Sequence, residues 1–223
     1  MKTNQDWVLW QLADSALPTG GFAHSGGLEA AWQQGEVGSA ADLEGFARAS
    51  LGQAGRGSLP LVVAAYENPG RLAELDALAE SFLTNHVANR ASRRQGRGLL
   101  TAAARSFALP ELCALDTAVR HAGAPGHFAP IFGAVTRWLG LDRGSVVRLF
   151  LFHHVRGLLT AAVRLGVVGP LESQTLQHRL GVPAEEVAAR SAGASLEDLA
   201  LTAPVLDLLQ ATQDRLYSRL FQS

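Results

Sequence analysis

The side chains able to do chemistry are few, and their spacing excludes most of it. Seven histidines are present, at positions 24, 86, 121, 127, 153, 154 and 178. A helical zinc or nickel site needs two imidazoles on one face, as in His-Glu-x-x-His. His153 and His154 are adjacent, so on a helix they point about 100° apart and do not share a metal. Cys113 is the single cysteine, which rules out an intramolecular disulfide and a thiolate cluster. Ser15 and Ser25 lack a Gly-x-Ser-x-Gly elbow. No catalytic residue, metal ligand or tightly bound cofactor is assigned, and the expectation is a protein that is not an enzyme.

Three stretches could bind rather than react. LPTGGFAHSGGLE, Leu17 to Glu29, sets four glycines and a proline around Phe22 and His24. A glycine-rich loop opening a helix can cradle phosphate, but a Walker loop needs Gly-Lys-Ser/Thr and no lysine is near. What remains is a tight connection needing glycine dihedrals, or a rigid loop in which Gly20, Gly21 and Ser25 present Phe22 and His24 to a partner. Second, Arg90, Arg93, Arg94 and Arg97 recur at i, i+3, i+4 and i+7 and line one helical face, which His86 extends by a turn. Like charges four apart cost helix stability. The stripe is either a docking surface for an acidic partner or a face neutralised by carboxylates from elsewhere in the fold. Third, LYSRLFQS, Leu216 to Ser223, is apolar for a chain end, so Tyr217, Leu220 and Phe221 pack on their own domain or on a partner.

The elements that position these stretches read as helices. Alanine and leucine dominate, and sustained strand alternation is absent. A short helix is expected over Asp6–Asp14, followed by a type I turn at Leu17–Gly20. Ser25 is expected to cap a helix through Gln34 stopped by Gly35, and Ser39 a helix to about Gly55. Asn68-Pro69 starts another. Further helices are expected over Ser92–Phe107, Pro110–Ala122, His127–Leu139, from Asp142 through a long core segment, Pro170–Leu180 and Ala203–Phe221. Gly181 to Leu201 yields only a short helix around Glu185–Arg190. The fold class is all-α, a single compact bundle of about ten helices over residues 1–223.

With 48% hydrophobic residues and 223 in all, the chain has material for one sizeable core. Its net charge of −1 provides no global attraction to nucleic acid or membrane. MKTNQDWVLW carries no apolar signal region, and the apolar stretch Ser145–Gly169 is broken by arginines and histidines, as a buried core helix would be. A cytoplasmic location follows as an expectation. In the long segment His154 falls on the apolar side, while His153, Arg156, Thr160 and Arg164 share the polar arc.

LWQLADSALPTGGFAHSGGLEAA (Leu9–Ala31) and the closing LYSRLFQS resemble the signature segments of the UreF family of urease accessory proteins. RASRRQGRGLL (Arg90–Leu100), GHFAPIFGAVTRWLGL (Gly126–Leu141) and AAVRLGVVGPLESQ (Ala161–Gln174) resemble its middle blocks, in order and at the right spacing. The resemblance implies an all-helical, dimerising scaffold. Such a scaffold assembles with UreD (UreH in some species) and the GTPase UreG on apo-urease, coupling GTP hydrolysis to nickel delivery. It implies no tightly bound cofactor, nickel being passed through the complex. It places Phe22 at the family's aromatic loop position and Arg219 at the arginine of the closing motif. It also implies that the tail, about 215–223, orders near Tyr217 on contact with UreD. Two positions depart from the pattern: Gly26, where the family has a larger side chain, and Ser173-Gln174, in place of Gly-Gln. Outside the family, the residues allow a helical metalloenzyme built on His24, His153 or His154, or an RNA-binding adaptor built on the arginine stripe.

Overall fold

The computed structural model describes residues 2–223, and their side chains except those of 2–4 and 192. Twelve α-helices and five one-turn 3-10 segments occur among the described residues, with no strand among them. The all-α bundle expected from composition is what forms. Helix α1 runs Lys2–Ala13, α2 Leu28–Gln33, α3 Ala40–Gly57, α4 Leu59–Glu67, α5 Leu72–Phe82 and α6 His86–Phe107. Helices α7 Pro110–His121, α8 Phe128–Trp138, α9 Arg143–Leu165, α10 Pro170–Arg179, α11 Gly181–Arg190 and α12 Pro204–Ala211 follow.

Where local signals are strong, the boundaries follow them. Ser39 and Asp42 form a reciprocal capping box at the start of α3. The Asp142 side chain accepts from the Ser145 amide to open α9, and Gly166, at φ +75°, closes it. Other boundaries differ. Ser25 does not directly precede α2, because Gly26 and Gly27 follow it at φ +63° and +88° and delay the helix to Leu28, but its Oγ still accepts from the Glu29 amide in the first turn at 3.4 Å. Gly26 suits its place, since a Cβ there would stand 3.2 Å from Leu158 Cδ2 on a left-handed backbone. Asn68 caps only a 3-10 turn, accepting from the Gly70 amide at 3.1 Å, and α5 starts after it. Helix α6 begins six residues before Ser92, because Asn85 accepts from the Val87 and Ala88 amides. Two helices exceed the expectation. Helix α4 is nearly all buried, so it shows no amphipathic period. Helix α11 occupies the whole of Gly181–Arg190, with no side-chain cap to announce it. After Pro170 the chain enters α10 directly, with Ser173 buried within it.

The core is centred where α8 meets α4 and α9. Phe128, Phe132 and Phe150 cluster with ring centroids 5.4–5.9 Å apart. Gly133 lies so close to α4 that a Cβ would enter the shell of the Val62 carbonyl oxygen, and Gly96 meets the Gly126 carbonyl in the same way. Helix α9 is long and apolar enough to cross a membrane by length and composition, but more than half of its apolar stretch is buried inside the fold. It is the spine on which α1, α2, α3, α10 and α11 pack.

Candidate partner-docking site

The glycine-rich stretch folds as a loop hung on α9 and closed by the tail. Thr19 N donates to Leu17 O at 2.8 Å, a three-residue turn about Pro18 instead of the four-residue type I turn expected. Gly20 then takes φ +78° and starts a 3-10 turn over Gly21–Ala23, a backbone that admits glycine at little cost. That turn pushes the Phe22 ring outward, leaving it 68% exposed. Arg164 of α9 secures it: its guanidinium donates to the Phe22 carbonyl at 2.6 Å and lies 3.9 Å from the ring centroid.

The tail is not a helix. The expected Ala203–Phe221 helix stops at Ala211, passes through a 3-10 turn at Gln213–Arg215 and continues without regular structure. The competing force is Glu29, a carboxylate only 1% exposed. It accepts from Leu220 N at 2.6 Å, Phe221 N at 3.1 Å and Gln213 Nε2 at 2.5 Å. These tail amides are satisfied by a side chain almost two hundred residues away rather than by carbonyls one turn back. The tail then pairs with the loop. Gln222 N donates to Ala23 O at 2.8 Å, and Ser25 N and Oγ donate to Ser223 O at 2.5 and 2.9 Å. His24 Nδ1 and Ser223 Oγ are 2.6 Å apart. Phe221 is buried with its ring 4.2 Å from the same Arg164 guanidinium, while Tyr217 is fully exposed and Leu220 about half.

The arginine stripe lies wholly within α6, and its neutralising groups come from elsewhere in the fold. Arg90 makes a two-pronged pair with Asp214 at 2.8 and 3.0 Å. His86 and Arg219 stand 3.3 and 3.1 Å from the same carboxylate, and Arg90 holds the Asp214 pKa below its ordinary value. Arg90 also reaches Gln222 O at 3.3 Å, and Arg94 bonds the Gln222 side chain. Arg93 faces Glu80 at 3.7 Å, and Arg97 donates to Ala124 O at 2.8 Å. The structure therefore brings Gly20, Gly21, Phe22, His24, Ser25, Arg90, Arg94, Tyr217, Arg219, Leu220 and Phe221 together. Arg93 and Arg97 lie on the flank. Sequence reasoning missed Glu29, Asp214 and Gln222, none of which is unusual in type or spacing. It placed Arg164 on the polar arc of α9 without a role.

A cavity of about 1080 Å³ opens behind the loop, lined in part by His24, His127, His153, His154, Ser50 and Asp207. Desolvation lowers the pKa of His24, His153 and His154 to about 4 each, helped at His24 by Arg94 and Arg90 and at His153 by Arg156. His154 Nε2 is 2.7 Å from Ser50 Oγ, and His153 Nδ1 3.0 Å from Arg156. The adjacent imidazoles thus turn to separate partners. Among the described residues no three His, Cys, Asp or Glu side chains converge as a metal site.

The profile of the UreF family matches residues 37–181. Over 227 aligned residues the chain is 38% identical to urease accessory protein F of Oryza sativa subsp. indica, covering 99% of this chain and 86% of the relative. It is 39% identical to urease accessory protein F of Arabidopsis thaliana, covering 97% and 92%. It is 28% identical to urease accessory protein UreF of Actinobacillus pleuropneumoniae serotype 3, covering 97% and 98%. The family match over more than half of the chain, with relatives 38–39% identical over nearly all of it, establishes that the chain belongs to the UreF family.

Proposed function

We propose that this chain is a non-catalytic scaffold of urease maturation. It docks UreD (UreH) and the GTPase UreG on apo-urease, and couples GTP hydrolysis to nickel delivery. Its expected setting is the cytoplasm, as a homodimer, with nickel as cargo and no resident cofactor. The observation that carries the reading is the composite surface of loop and tail. Phe22 is 68% exposed, Tyr217 fully and Leu220 about half, with the Phe22 carbonyl held by Arg164 and the Leu220 and Phe221 amides held by Glu29. Exposed aromatics on a rigid support are what a protein interface needs and what a solitary chain does not. The names of the relatives, urease accessory proteins, support the setting. The arginine stripe contributes to this surface by holding the tail, which leaves it less free for an RNA backbone.

The test is co-purification of the chain with its cognate UreD, then UreG, comparing the full chain with one lacking residues 216–223. The expected result is capture by the full chain and none by the truncation, with both helical by circular dichroism. Failure of the folded full chain to capture UreD would overturn the reading.

A further inference from the structure

We infer that Arg164 and Glu29 are positioning residues that lock the loop and the tail into one docking surface. The inference rests on the docking reading above, and it extends that reading to two side chains that need not touch the partner. Arg164 of α9 engages both segments. It bonds the Phe22 carbonyl, and the rings of Phe22 and Phe221 lie 3.9 and 4.2 Å from its guanidinium. A planar guanidinium can take an aromatic ring on each of its broad faces while donating in its plane, which a lysine ammonium cannot reproduce. Glu29 works from the other side. Its buried oxygens accept the Leu220 and Phe221 amides and the Gln213 side chain, so the carboxylate is solvated by the tail itself. Glutamine has the same shape, but its NH₂ would have to face one of those donors.

The consequence is linkage. Phe22 presents its ring outward, and Leu220 presents its side chain from the tail. The spacing between them is set by Arg164 above and by the Gln222–Ala23 and Ser223–Ser25 bonds alongside. The two clamps favour the tail conformation that contact with a partner has to order, and lowering that ordering cost is where preorganisation gains affinity. Loosening either clamp should therefore weaken docking through an intact fold.

The experiment measures amide hydrogen exchange in the isolated full chain, then UreD capture by the same samples. In Arg164→Met and in Glu29→Gln, the amides of Leu220, Phe221 and Gln222 should exchange at least tenfold faster while those in α8 and α9 keep their protection. UreD capture should fall at least tenfold, and Arg164→Lys should restore part of both. Phe22→Leu should speed Phe221 exchange in the wild-type background but add nothing once Arg164 is methionine. Simple loss of packing would not produce that non-additivity. If the tail amides of Arg164→Met and Glu29→Gln exchange as in wild type, the clamp is wrong whatever the partner does. If they loosen as expected while UreD capture stays at the wild-type level, the positioning role is overturned. If wild type itself captures no UreD although its tail responds to both variants, the docking reading fails and the linkage of loop to tail stands.

Discussion

Where α8 crosses α4, Gly133 brings backbone against backbone at Val62 and large apolar side chains fill the space around it. Where the tail crosses the loop, contact is made by the Glu29 carboxylate, the Arg164 guanidinium and a few main-chain hydrogen bonds. The first region is held by shape and apolar area, which tolerate almost no intrusion. The second is held by directional polar bonds, several of them buried, each of modest net value. The lesson is a division of labour: the crossing makes the fold permanent, and the seam makes a surface that can be adjusted without unfolding anything.

The sharpest way to break the comparison is at the crossing. Gly133→Ala would drive a methyl into the Val62 carbonyl, where the obstacle is backbone that cannot rotate aside. A loss of about 3 kcal/mol or more is expected, a large part of the stability of an ordinary domain. Thermal melting should show a large fall in midpoint or insoluble protein. A melt unchanged within a few degrees would mean the two helices are not locked there.

Acid should act next, through the cavity between the two regions. His24, His153 and His154 have folded pKa values of about 4, below the ordinary 6.5, chiefly because burial disfavours the charged ring. Since the folded values are depressed, the unfolded chain takes up protons first. Stability is therefore fully present above about pH 6.5 and declines as pH falls from there to 4. The contribution of His154 is at most about 3 kcal/mol, and that of His24, which meets solvent, is smaller. Urea melts from pH 7 to pH 4 should show the decline, and His154→Gln should flatten it. A decline equally steep in that variant would assign the acid sensitivity to other groups.

These regions also differ in how far the sequence discloses them. The all-α class is legible because helix signals are local: Ser39 with Asp42, Asp142 with Ser145, and proline at the first position of α7 and α10. Helix α4 is hidden because a segment buried all round has no polar face to give it a period. The tail is misread for the opposite reason. Its pattern of Leu216, Leu220 and Phe221 suits a helix, but the Glu29 carboxylate, distant in sequence, offers its amides better acceptors. The loop's importance is legible from its glycines and Phe22, whereas Glu29 and Arg164 are ordinary residues whose role exists only once the chain ends meet. The arginine periodicity is real, yet its counterpart Asp214 belongs to a turn that pattern alone does not create.

A smaller effect is expected at that counterpart. Arg219 pairs with Asp214 at 3.1 Å with both side chains partly exposed, so Arg219→Ala should cost no more than about 1 kcal/mol of stability. Circular dichroism should be unchanged, while UreD capture weakens because the tail loses its tie to Asp214, the carboxylate that Arg90 of α6 holds. Salt should erase part of the difference between variant and wild type, and a difference indifferent to salt would point to packing instead.

The smallest structural effect is expected at Tyr217, whose side chain is wholly exposed. Tyr217→Ala removes no buried area within the chain, so stability should stay within about 0.5 kcal/mol of wild type. Exchange at Leu220 and Phe221 should also be unchanged, because their amides are held by Glu29 and not by the tyrosine. Partner capture is where the variant should differ, falling about tenfold if the ring is an anchor at the interface. The contrast with Gly133→Ala is the point of the measurement, since one residue would govern the fold without touching a partner and the other would govern a partner without touching the fold. A Tyr217→Ala chain that captured UreD as wild type does would shift the docking surface away from the tail, toward Phe22 and the loop.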